Sequence, residues 1–126
     1  MLSSNSRLVL EAARAGAFSR VGVPELVVEE TCRVMERIYG RRIVFPTRTF
    51  LLRLCAPIPR GPRLREEMEN ARGIVPQKDL EVVAAARVMQ ADRLIAYDRH
   101  FEELLEYRTP KRMVEELGLR PYPTEY

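Results

Sequence analysis

Asp79-Leu80-Glu81-Val82-Val83-Ala84-Ala85-Ala86-Arg87-Val88-Met89, then Gln90-Ala91-Asp92, then Arg93-Leu94-Ile95-Ala96-Tyr97-Asp98, is the segment from which the architecture of this chain can be worked out. Leu80 to Met89 is apolar around nearly its whole circumference, which predicts a helix enclosed by protein on all sides rather than one lying on a surface. Arg93 to Tyr97 then reads as a compact strand built on Leu94 and Ile95, ending at Asp98. A buried helix feeding a short strand is the repeating unit of an α/β domain with a parallel sheet.

The segments on the amino side keep that alternation. Asn5 to Ala15 reads as a covering helix, with Ser4 or Ser6 as cap, Leu8, Val9, Ala12 and Ala13 at helical spacing, and Gly16 as its stop. Phe18 to Val23 is a brief β-type run, and Pro24 suits the first turn of a helix that reaches about Tyr39 and ends at Gly40. Ile43 to Phe45 fits a short strand or a turn. Pro46 and Thr47 open a further helix to Cys55. Ala56 to Pro62 holds three prolines and is read as irregular loop. Arg63 to Arg72 is a polar helix, Ile74 to Pro76 a turn, and Pro110 to Leu117 a closing helix stopped by Gly118. The expectation is a single domain spanning residues 1–126, since a 126-residue chain encloses one core and is short for two.

Composition excludes several classes. Hydrophobic residues at 46% and charged residues at 31% belong to a folded globular chain rather than a disordered one. No apolar run has the length of a signal peptide or of a membrane span, so no membrane association and a cytoplasmic location are expected. Cys32 and Cys55 are the only cysteines, which suggests neither a zinc site nor a disulfide framework; both are read as reduced core thiols. None of the six glycines forms the clustered turn of a dinucleotide site or a phosphate loop. The net charge is +3, and because lysine occurs only at Lys78 and Lys111, nineteen of the 21 basic residues are arginine. Planar guanidinium forks suit phosphate, although a solvated basic surface has the same composition.

Three carboxylates stand where an acid is costly unless used. In the helix after Pro24, Val27, Thr31, Val34 and Ile38 form an apolar stripe, and Glu30 falls within its arc, pointing towards the core or its rim. Glu29 falls on the other side with Arg33 four residues on, a favourable surface pair. Asp79 opens the most apolar helix, where aspartate also serves as an ordinary cap. Asp98 closes a strand at its carboxyl end, the edge at which open α/β sheets bind ligands, and where aspartate is also a common turn former. Three carboxylates converging from three elements would suit a hard divalent cation, Mg²⁺ or Mn²⁺, that activates water for in-line attack on a phosphodiester.

Those same positions carry a family resemblance. Pro24-Glu25-Leu26-Val27-Val28-Glu29-Glu30 resembles the strand-to-helix segment of PIN domains, with Glu30 in the place of the family's metal-site acid. Asp79 to Asp98 resembles the family's most specific stretch: an aspartate opening an Ala-rich helix, the Ala91-Asp92 turn, and a strand ending in aspartate ahead of Phe101. Thr109-Pro110 leading Lys111 to Leu117 is similar to the family's ending. The resemblance implies a three-layer α/β/α sandwich with a short, mostly parallel sheet. It also implies Mg²⁺- or Mn²⁺-dependent RNA cleavage through Glu30, Asp79 and Asp98, as in VapC-type toxins and RNA-processing nucleases. RNA, an antitoxin-like protein and a second copy of the chain are the partners it suggests.

The chain departs from that family at its start. PIN domains open with a central strand ending in aspartate, whereas Met1-Leu2-Ser3-Ser4-Asn5 resembles the segment just beyond that strand, and Glu11 is the only acid among the first twenty residues. Loss of a central strand predicts exposed hydrogen-bonding edges, an unusual sheet or an intimate homo-oligomer, and an activity impaired by the lost carboxylate. Ala96 and His100 stand where the family often has a hydroxyl and a further acid. His100, the single histidine, is read as a surface or capping residue. The alternative function is therefore a catalytically inactive PIN-like domain that binds RNA or a protein. A third reading places the natural start upstream, where a hydrophobic strand ending in aspartate would precede Met1.

Overall fold

The computed structural model describes residues 4–97 and 99–126. The elements run in the order α1 (Asn5–Arg14), β1 (Gly22–Pro24), α2 (Glu25–Tyr39), α3 (Val44–Leu54), β2 (Ala56–Ile58), α4 (Pro62–Ala71), α5 (Leu80–Val88), β3 (Leu94–Ile95), β4 (Tyr107–Arg108) and α6 (Pro110–Glu116). The class is mixed α/β. The strands form two parallel pairs: β1 with β2, in register Gly22 to Ala56 and Pro24 to Ile58, and β3 with β4. The chain divides into two compact units, Met1–Ser19 with Ala91–Tyr126, and Arg20–Gln90.

In the unit Arg20–Gln90, α5 behaves as its composition requires. Leu80, Val83, Ala84, Ala85 and Ala86 are all buried, and no residue of the helix is exposed. It packs against α4 and β1. Ala84 and Ala85 meet Ile58 of β2 and Leu64 of α4, with Met68, Val88 and Met89 packed around them. Small side chains permit this close approach. Gly22 of β1 also lacks a side chain for a reason: a Cβ there would collide with the Met89 sulfur and crowd Ile58. A second cluster joins Val23, Val28 and Cys32 to Val27, Val44, Leu51 and Cys55, fastening α2 to α3. Cys32 is buried and Cys55 half-buried, both are free, and burial pushes the Cys55 thiol above its ordinary pKa.

One expectation needs correction here, and one alternative is decided. Ala56–Ile58 is a strand, although prolines flank and interrupt it. The Ala56 N–H donates to the Val21 carbonyl at 2.7 Å, and successive residues of a strand point their donors to opposite edges. The missing donor of Pro57 therefore falls on the edge away from β1 and removes no bond of the pair. Of the two readings of Ile43 to Phe45, the strand is not formed: Ile43 closes a turn and Val44 and Phe45 begin a helix. Gly40, at φ 91°, ends α2, Arg41–Ile43 makes a 3-10 turn, and α3 begins at Val44 with Pro46 in its first turn, where no N–H is needed.

The unit Met1–Ser19 with Ala91–Tyr126 is held by polar links between distant segments. The Ser4 hydroxyl caps α1 by accepting from the Arg7 N–H at 3.2 Å, and the Thr109 hydroxyl does the same for α6. Asn5 is 2% exposed, and its amide donates to the Tyr122 carbonyl and the Thr124 hydroxyl while its oxygen accepts from the Tyr122 N–H at 2.8 Å. Ser6 bonds the Tyr97 hydroxyl, and Tyr97 packs edge-on against Tyr126. The unit's apolar centre comprises Phe101, Leu104, Met113 and Val114. Strand β4, which no pattern in the sequence announces, pairs Tyr107 and Arg108 with Leu94 and Ile95. Beside it, Arg93 and Arg108 both bond the Glu116 carboxylate.

Replacing Asn5 with Ala leaves the Tyr122 backbone N–H without its acceptor and removes three hydrogen bonds at a buried position. The expected loss is about 1–3 kcal/mol in urea unfolding. The Glu116 carboxyl is held below its usual 4.5 by hydrogen bonds from Arg108 and then Arg93. Its contribution to stability is therefore present above that value and disappears as the pH falls through the lower folded pKa. Glu116→Gln should melt below wild type at neutral pH, and the two melting curves should converge only once the pH has fallen below that lowered pKa.

Candidate functional site

Because β1 and β2 are parallel, their carboxyl ends share one edge of the pair. The chain leaves β1 directly into α2 at Glu25, and two residues beyond the end of β2 stands Arg60. Its guanidinium is 3.3 Å from the Glu29 carboxylate and 3.3 Å from that of Glu81. Glu29 lies in the second turn of α2 and Glu81 in the first turn of α5, so one arginine ties the starts of these two helices together at the carboxyl edge. Glu81 first, then Glu29, raises the Arg60 pKa, and the side chain stays charged. Arg60 and Glu29 are each 45% exposed, Glu81 only 16%. The edge is open to solvent on the side of α2.

Asp79 belongs to the same unit and immediately precedes α5. Its residue is 8% exposed, and its side chain makes no capping hydrogen bond to the helix it opens. The ordinary capping role, which the sequence allowed, is thus not the one it performs for α5. Asp79 is the one acid of this unit among the described residues that is buried, and it stands two residues before Glu81.

Glu30 lies elsewhere on α2. Only the start of the expected stripe meets the core: Val27 packs beside the buried Val28 and Cys32, whereas Val34 and Ile38 are 46% and 63% exposed. Glu30 is about 200° around the helix from Val28, and it is exposed. The helix carries two apolar arcs, and α3, through Val44, Leu51 and Cys55, packs on the one containing Val28 and Cys32. Glu29, read from sequence as a surface partner of Arg33, instead reaches Arg60. Asp98 lies outside the described residues. Among the described residues, no group of three or more His, Cys, Asp or Glu side chains is placed to hold a metal ion.

Glu29, Arg60 and Glu81 are the residues that sequence reasoning missed. The signal was available in Ala56-Pro57-Ile58: read as a strand parallel to Gly22–Pro24, it puts Arg60 at the carboxyl edge and makes any acid in the first turns of the flanking helices its candidate partner. No helix among the described residues is long and apolar enough to cross a membrane. Compared with protein-family models, curated proteins and solved structures, the chain gives no match.

Replacing Arg60 with Met should leave Glu29 and Glu81 facing each other across the edge without their shared cation. The expected result is a lower melting temperature, by less than about 5 °C at low ionic strength, with the difference closing in 1 M salt as the carboxylates are screened.

Proposed function

We propose that this chain is a PIN-like ribonuclease that hydrolyses phosphodiester bonds in RNA with Mg²⁺ or Mn²⁺ held by Glu30, Asp79 and Asp98. The observation that carries this reading is Asp79: a buried carboxylate opening the enclosed helix α5, which makes no cap to that helix and stands two residues from the acid that Arg60 draws to the carboxyl edge. Its chemistry fits the cation, because a hard divalent ion takes oxygen ligands and all three proposed donors are carboxylates. When bound, such a cation would activate water and offset charge on the phosphate. Arg60 presents a second positive group on the same edge, in the planar form that pairs with phosphate oxygens. Glu29 and Glu81 orient that guanidinium. The three-layer sandwich, a cytoplasmic location, an antitoxin-like protein partner and a homo-oligomer belong to this same proposal.

One observation favours a second reading, a non-catalytic PIN-like domain that binds RNA or a protein. Arg60 already balances two acids of the edge, so part of the negative charge there is offset without a metal.

Mn²⁺ titration of the wild type and of an Asp79→Asn, Asp98→Asn double variant separates the two, with RNA cleavage and melting temperature as readouts. The ribonuclease reading expects Mn²⁺ to raise the wild-type melting temperature. It also expects cleavage to fall in the double variant by more than the ~100-fold that loss of a merely supporting residue costs. Glu30→Gln should share that loss; if Glu29→Gln shows it instead, the role passes to Glu29. Metal that neither stabilises the protein nor supports cleavage, while RNA binding persists, establishes the non-catalytic reading.

A further inference from the structure

Charge is unevenly spread along the chain. Residues 33–53 hold six arginines and one acid, Glu36, a balance of +5; since the whole chain carries +3, the remainder carries −2. This segment is the second half of α2, the 3-10 turn and nearly all of α3. Arg33, Arg37, Arg41, Arg42, Arg48 and Arg53 are all exposed. Among the described residues none of them is paired with a carboxylate, in contrast to Arg60, Arg72, Arg93 and Arg108.

The same segment exposes aromatic rings. Tyr39 is 67% exposed and Phe45 79%, and they flank Arg41 and Arg42 at the turn where α2 gives way to α3. Seven residues thus carry two exposed rings and two uncompensated guanidinium groups. Two rings this exposed, set in sequence among unpaired arginines, mark a binding surface.

We infer that the α2–α3 turn is a docking site for single-stranded RNA, with bases stacking on Tyr39 and Phe45 and phosphates held by Arg41 and Arg42. Charge complementarity selects this occupant: a strand supplies repeated phosphates and a flat face on every base, which are the two chemistries the turn presents. A second copy of the chain would bring +5 against +5. Single strands fit better than a duplex, whose bases are stacked on one another and offer no face to a ring. The choice of RNA rests on the ribonuclease reading above. Tyr39 stands at the far end of α2 from the carboxyl edge, about 21 Å along a fifteen-residue helix. The turn is therefore a site remote from the acids, one that a strand of several nucleotides would reach while engaging both.

Fluorescence anisotropy with a labelled 15-nucleotide uridine strand, in EDTA so that cleavage does not enter, tests the inference on the full chain. Arg41→Gln with Arg42→Gln should weaken binding and flatten the dependence of log affinity on log salt by about 1.4, since each phosphate contact to a single strand contributes ~0.7. Tyr39→Ser with Phe45→Ser should lower affinity at least about tenfold and leave that salt dependence unchanged, because stacking releases no counterions. A duplex of equal length should bind more weakly than the strand and be insensitive to the aromatic pair. All four side chains are exposed, so circular dichroism and melting should match wild type. The inference is overturned if wild type does not bind the strand, or if either paired variant binds it as wild type does. It is equally overturned if polyglutamate competes as well as RNA at equal charge, or if the aromatic pair abolishes a dimer seen by sedimentation and leaves RNA binding intact. RNA binding that depends on the turn, without metal-dependent cleavage, retains this site and rejects the ribonuclease reading; cleavage with turn-independent binding does the reverse.

Discussion

A helix with no polar face cannot rest on a surface, and α5 is such a helix. Its enclosure requires a strand pair on one side and α4 on another, and the run Ala84, Ala85 and Ala86 lets those elements come close. Gly22 answers the same demand from β1, where Met89 occupies the volume that a side chain would fill. Once α5 is seated, the residues at its start have little freedom. Asp79 is drawn under the surface, and Glu81 is turned towards the edge where β1 and β2 end. The burial that stabilises the unit is thus also what places its acids.

Arg60 shows how the edge resolves the resulting charge. Two carboxylates from two helices lie within reach of one guanidinium, and each would repel the other without it. The arginine stands two residues past β2, so a three-residue strand, rather than the loop its prolines suggest, determines where this cation lies. Under the proposed function the same group would meet phosphate, and under the non-catalytic reading it closes the site. Both readings use one geometry, and they differ in whether the edge serves as a ligand shell or as a clasp between helices.

The amphipathic logic of α2 extends the picture away from that edge. Its inner face, through Val28 and Cys32, is committed to α3, which leaves the arc of Val34 and Ile38 uncovered. Continuing along the helix, the uncovered arc runs into the arginines and rings of the turn before α3. Acids near one end of the helix and unpaired arginines at the other give this unit a polarity of charge along a single element.

Local chemistry needs no partner to be read. Gly16, Gly40 and Gly118 take positive φ at the ends of helices, Ser4 and Thr109 cap the helices they precede, and Leu80 to Ala86 is enclosed, all as periodicity and capping rules dictate. Long-range pairing is where those rules end. Pro57 argues against a strand until a partner is known to lie on the edge that needs no proline donor. Val28 with Cys32, and Val34 with Ile38, argue equally for two different inner faces of α2 until α3 is known to take one. That choice leaves Glu29 rather than Glu30 within reach of Arg60, because one residue along a helix is about 100° around it. Which arc is buried, which glutamate meets Arg60 and which strand pairs with β1 each depend on a contact between segments far apart in sequence, and such contacts exist only once the chain has folded.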